Sequence, residues 1–122
     1  MAEQTIFTII KGRELSFDIN IKENGTVLPL ELQSGDYATF SVINKKTGAK
    51  LVEDKAMVIV DYLNGKIRGD LTEVETEAFP LKRSSAEDGY IPRPNLEIVV
   101  TANTALQGQM TAFIRDVYVS QG

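Results

Sequence analysis

The chain has 122 residues, 43% of them hydrophobic and 25% charged, with a net charge of −4 and no Cys, His or Trp. Those proportions fit a single folded domain, residues 1–122. They exclude disulfides, Cys/His zinc and iron–sulfur sites, histidine pH switches, and Ser-His-Asp or Cys-His catalysis.

The opening Met1-Ala2-Glu3-Gln4 is polar, and the apolar cluster Ile6 to Ile10 is broken by Thr8. An export signal needs a basic start and an apolar run of ~7–15 residues, and a spanning helix needs ~20. No membrane partner is expected, and the expected place of synthesis is the cytosol. From Glu14 to Lys22, Leu15, Phe17, Ile19 and Ile21 alternate with Ser16, Asp18, Asn20 and Lys22. That period of two predicts a strand with one core face. Asn24-Gly25 predicts a hairpin turn, because both residues tolerate positive φ. Val27 to Leu32 returns, and Pro29 confines it to an edge or an irregular path.

Asp36 to Asn44 predicts a second strand with Ala38, Phe40 and Val42 on one face. Lys45 to Gly48 turns the chain into a return over Ala49 to Glu53. Ala56 to Tyr62 lacks clean alternation, which predicts a strand covered on both faces. Asn64-Gly65 is a second hairpin signal, leading into Lys66 to Leu71. The period then changes. Leu71 to Pro80 predicts a short helix with Thr72 as N-cap, Glu75 closing a capping box and Pro80 as the stop. Glu73 and Glu75 suit the positive end of the helix dipole.

Leu81 to Gly89 is polar and loop-like, and Tyr90-Ile91-Pro92-Arg93-Pro94 must be extended. Tyr90 suits a buried core position or a tyrosine corner. Asn95 to Thr101 predicts a strand with Leu96, Ile98 and Val100 on one face. Ala102 to Gly108 is a turn. Gln109 to Val119 is the last strand, with Phe113, Val117 and Val119 on one face and Ile114 and Tyr118 on the other. About eight strands at this spacing predict an all-β fold, an antiparallel sandwich of immunoglobulin-like form with one short helix. The Cys-Trp-Cys core of antibody domains is absent.

Four features invite a chemical reading. The acidic stretch Asp70, Glu73, Glu75, Glu77 lacks calcium-loop spacing, and helix capping accounts for Glu75. Arg68-Gly69-Asp70 spells the integrin tripeptide, but it falls at a strand end rather than a loop tip. Asn24-Gly25-Thr26 matches a glycosylation sequon that the hairpin already explains. Lys11 stands alone between Ile10 and Gly12, where surface solvation is the default reading. No nucleophile has an identifiable base and no phosphate loop occurs, so no enzyme, cofactor or metal site is expected. The 13 basic residues are scattered, and Lys45-Lys46 and Lys82-Arg83 are only pairs, so nucleic acid is not an expected partner.

The opening strand into Lys11-Gly12 and Leu15 to Ile19, then Thr39 to Ile43 with Lys46-Thr47-Gly48 and Leu51-Val52, then Asn64 to Ile67 with Leu71-Thr72, Glu75-Thr76 and Tyr90 form a soft pattern. In this order it resembles the immunoglobulin-like module at the N-terminus of baseplate upper proteins of tailed phages. It is similar also to small collar and tail-tip subunits of long-tailed phages. The resemblance runs from about Ile6 to Val119 of the printed sequence. It implies a non-enzymatic structural subunit of a virion tail, assembled in the host cytoplasm. Its expected partners are copies of itself in a homo-oligomeric collar or baseplate ring, and other tail proteins.

The chain stops at Gly122, where an upper baseplate protein continues, which favours a stand-alone ring subunit. Candidate contact residues are Ile6, Phe7, Ile9, Ile10, Tyr90, Ile91, Arg93, Phe113, Arg115 and Tyr118. A carbohydrate- or receptor-binding sandwich is the alternative. Such sites cluster exposed aromatics, and aromatic content here is 7%.

Overall fold

Apolar alternation builds the strands, and the pairing of those strands decides which residues share a face. A computed structural model describes residues 7–23, 28–80 and 96–120. The strands are β1 (Phe7–Ile10), β2 (Leu15–Asn20), β3 (Tyr37–Asn44), β4 (Lys50–Ala56), β5 (Val58–Asp61), β6 (Lys66–Leu71), β7 (Leu96–Thr104) and β8 (Gly108–Ser120). One helix, α1 (Glu73–Glu77), lies between β6 and β7. The fold is all-β, with two sheets in a sandwich-like arrangement. One sheet has the order β1-β8-β7-β3-β4 and the other β2-β6-β5. Every pairing is antiparallel except that of β1 with β8.

The two inner faces form one core. Phe17, Ile21, Ile67 and Leu71 come from the three-stranded side. Ile9, Ala38, Phe40, Val42, Leu96, Ile98, Val100, Val117 and Val119 come from the other. The predicted alternation of β2 holds, with Leu15 and Ile19 packed against this core and Ser16, Asp18 and Asn20 exposed. Phe17 and Phe40 meet across the sandwich edge to face, ring centroids 5.1 Å apart at 87°. Gly69 is the cross-strand partner of Phe17. A Cβ on Gly69 would lie 2.6 Å from Phe17 Cε1 and closer still to Cζ. A strand glycine usually weakens its sheet. Here the missing side chain is the space the ring fills.

The segment after β2 follows the irregular path that Pro29 predicts. Lys22 and Pro29 form an isolated bridge, and Leu30 N–H donates to Ile21 O at 2.9 Å. Leu30 and Leu32 are buried. The predicted Asn24-Gly25 turn lies outside the described residues. At the other predicted turn, Gly65 has φ +64, and Ile21 N–H donates to its carbonyl at 2.8 Å. A Cβ there would meet Leu30 O at 2.5 Å and Ile21 O at 2.8 Å, so both the turn and the close backbone approach require glycine.

Three expectations change. The first concerns β8, where simple alternation places Phe113 with Val117 and Val119. Ile98 pairs with Ile114 but Leu96 pairs with Val117, so β8 carries an extra residue at Arg115-Asp116. Such a bulge flips the face of everything beyond it. Ala112 and Ile114 therefore pack against the core, as do Val117 and Val119, while Phe113 points outward. Lys45 braces the bulge, donating to Arg115 O at 2.9 Å and approaching Asp116 Oδ1 at 3.4 Å.

The second is β5, predicted to be covered on both faces. It is instead an edge strand, with Met57 and Ile59 turned to the core and Val58 and Val60 exposed. The β7–β8 turn is also shorter than predicted, because β7 continues to Thr104.

Gly69→Ala is expected to cost about 1–3 kcal/mol, because the new methyl overpacks the Phe17 ring. Urea unfolding reads this as a lower midpoint at unchanged slope. Adding Phe17→Leu in the same chain should restore part of the loss. A Gly69→Ala protein as stable as the parent would show that the ring does not fill that space.

Candidate functional site

Charged side chains gather around α1. Thr72 takes extended backbone at φ −82, ψ 165 and caps the helix, as the sequence predicts. Glu75 N–H donates to Thr72 Oγ1 at 3.2 Å, and Thr72 N–H donates to Glu75 Oε1 at 2.8 Å. The same carboxylate oxygen receives Lys55 Nζ of β4 at 2.5 Å. Both partners are less than one-third exposed. Burial alone pushes the Glu75 carboxyl up, but Lys55 and the Thr72 N–H outweigh it and hold the group below its ordinary value.

The far end of α1 is also tied down. Lys11, the isolated lysine after β1, donates to the carbonyl oxygens of Glu77 and Phe79. A cation there satisfies carbonyls that the helix cannot pair and offsets its dipole. The surface-solvated expectation for Lys11 is therefore corrected. Thr76 is buried, and its hydroxyl donates to Arg13 O at 2.9 Å. Phe79 turns into the core behind it.

Two open hollows flank this helix. One, of about 450 Å³, is lined by Gly12, Glu73, Val74, Glu77 and Ala78. The other, of about 410 Å³, is lined by Glu14, Leu15, Ser16, Asp70, Leu71 and Thr72. In the second hollow the Asp70 carboxylate accepts Ser16 Oγ at 2.5 Å and lies 3.4 Å from Arg68 Nε. Arg68-Gly69-Asp70 thus sits inside β6, its two charged side chains paired with each other. Among the described residues, no group of three or more Asp or Glu side chains is arranged to hold a metal ion. No described helix is long and apolar enough to cross a membrane.

The candidate contact residues divide. Ile6, Tyr90, Ile91 and Arg93 lie outside the described residues, and Phe7 begins β1. Ile9 is fully buried in the core, so its side chain is not available to a partner within this fold. Ile10 and Tyr118 are half-buried. Phe113 is 47% exposed, and the Arg115 guanidinium stacks on its ring at 4.5 Å from the centroid. Arg115 also faces Glu97 at 3.9 Å.

A more prominent surface was missed by the sequence reading. Val58, Val60, Tyr62 and Leu63 are 48, 47, 48 and 65% exposed, on and just after edge strand β5. The run Met57 to Val60 carries no polar residue to break its alternation, so its exposed side had no signal in the sequence. Comparison with protein-family models and with curated proteins finds no match for this chain.

Because the Glu75 carboxyl titrates lower in the fold than in the unfolded chain, it contributes stability above the unfolded value near 4.5. That contribution is lost as pH falls through the folded value. Glu75→Gln is therefore expected to lower stability at neutral pH and to flatten the acid limb of a stability–pH curve. An unchanged acid limb would contradict the pairing with Lys55. Thr72→Ala, which removes the cap but not the ion pair, is expected to cost about 1 kcal/mol in urea unfolding.

Proposed function

We propose that the chain is a non-enzymatic structural subunit that works by contact with its neighbours, as a homo-oligomeric collar or baseplate ring near the tip of a phage tail. The observation that carries the contact role is the exposed apolar run of β5. Large apolar side chains gathered at a sheet edge commonly mark a protein–protein surface. The phage-tail part rests on the resemblance of the strand-and-turn pattern.

The immunoglobulin-like form of the sandwich belongs to the same proposal, and strand order supports it. The neighbours β8-β7-β3 match the G-F-C side of such a domain, and β2-β6-β5 match its B-E-D side. A parallel first strand beside the last, as β1 lies beside β8, is compatible with that reading. The alternative, a carbohydrate-binding sandwich, has Phe113 as its best platform. Arg115 already occupies one face of that ring, which favours the contact role.

Light scattering across a concentration series tests the proposal. The parent chain is expected to associate into a closed assembly, visible as rings by electron microscopy. Val58→Lys with Val60→Lys is expected to return it to monomer while leaving the circular dichroism spectrum unchanged. A chain that stays monomeric at every concentration and does not join purified tail proteins would sink the proposal.

A further inference from the structure

The Asn64-Gly65 turn carries a chemical liability that the fold holds in check. In an Asn-Gly step the glycine amide nitrogen can attack the asparagine side-chain carbonyl carbon. The new N–C bond closes a succinimide ring, and the side-chain nitrogen leaves as ammonia. Water then opens either ring carbonyl, leaving aspartate or isoaspartate. The net change is the gain of one water and the loss of one ammonia. Glycine favours the attack because no side chain shields its nitrogen.

Asn64 is exposed, so water reaches it. Its geometry nevertheless opposes ring closure at both reacting atoms. The side-chain Nδ2 donates to Asp61 Oδ2 at 2.8 Å, and the backbone N–H of Asn64 donates to Asp61 Oδ1 at 3.3 Å. The carboxylate therefore holds the Asn64 amide in place, and rotation toward the Gly65 nitrogen breaks that bond. These same hydrogen bonds, the Asn64 side chain first, hold the Asp61 carboxyl below its ordinary range, so it is ionised at neutral pH.

The nucleophile is fixed as well. Gly65 is buried at φ +64, its N–H directed at Tyr62 O at 3.4 Å and its carbonyl held by Ile21 N–H. Leu30 O and Ile21 O occupy the space that a Cβ on Gly65 would need. Swinging Gly65 toward Asn64 would dislodge the contacts of Ile21 and Leu30, two core residues.

We propose that Asn64 is a deamidation site held inactive in the folded chain by the Asp61 carboxylate, and released when that turn opens. The product would set a second carboxylate against Asp61. In the isoaspartate form it would also lengthen the main chain at a turn that has no slack. Modification would then loosen the turn permanently, because neither product can restore the side-chain N–H donated to Asp61.

Mass spectrometry of the tryptic peptide Ala56–Lys66, in which Asn64 is the only asparagine, reads the reaction directly. The full chain is incubated at mildly alkaline pH, folded and in urea. Asn24-Gly25 in the urea arm supplies an internal rate for an unrestrained Asn-Gly step. Folded parent chain is expected to deamidate at Asn64 at least about tenfold more slowly than in urea, the factor one hydrogen bond to a charged group supplies. Asp61→Ala, shown folded by circular dichroism, is expected to lose most of that protection. Asp61→Asn keeps an acceptor oxygen without the charge and is expected to fall between. A folded parent reacting at the urea rate would overturn the proposal. So would Asp61 variants that react as slowly as the parent, which would assign the protection to Gly65 alone.

Discussion

The contact between Phe17 and Phe40 is the constraint on which the rest of the sandwich depends. Without cysteine, no covalent link joins the two sheets. One ring comes from β2 and the other from β3, and their edge-to-face geometry fixes how the sheets approach. Aromatic pairs of this geometry contribute beyond the area they bury. The arrangement needs a residue without a side chain opposite Phe17, and Gly69 supplies it. It also sets the outer face of β6. With Gly69 turned inward, Arg68 and Asp70 point outward, where they pair with each other and Asp70 accepts from Ser16 Oγ.

The chain passes between the sheets four times, and two of these crossings have fastenings of their own. Between β1 and β2, α1 closes the corner through Lys11, Thr76 and the buried Phe79. Between β4 and β5 the crossing falls at Met57, whose N–H donates to Ala38 O of β3 at 2.9 Å. Lys55, two residues earlier, reaches Glu75 of α1. One short helix is thus bonded to both of these crossings. What this leaves outward at the second corner is β5, the strand whose apolar side chains support the proposed contact role. The functional reading and the fold are connected at that point: the crossing that completes the sandwich also presents Val58 and Val60.

Local signals were legible where one residue's neighbours in sequence are also its neighbours in space. The β2 alternation, the Thr72–Glu75 capping box and the Gly65 turn are of this kind. The β8 bulge was not legible, because alternation through Phe113 continues in the sequence without interruption. Only pairing with β7 reveals the extra residue at Arg115-Asp116. The exposure of β5 was hidden for a related reason. An apolar run reads alike in a central strand and in an edge strand, and the sheet order decides between them. The roles of Lys11, Lys45 and Lys55 depend on partners 66, 70 and 20 residues away. No spacing rule reaches that far. Of the candidate contact residues, Phe113 was chosen from the right strand but assigned to the wrong face, and Ile9 turns inward.

The most direct measurement is a double-mutant cycle on the two rings. Phe17→Leu, Phe40→Leu and the double variant are compared with the parent by urea unfolding. If the rings join the sheets as described, the two losses are not additive, and a coupling of about 0.5–1.5 kcal/mol remains. Strictly additive losses would contradict it, and would leave the sheets held by general burial of their inner faces.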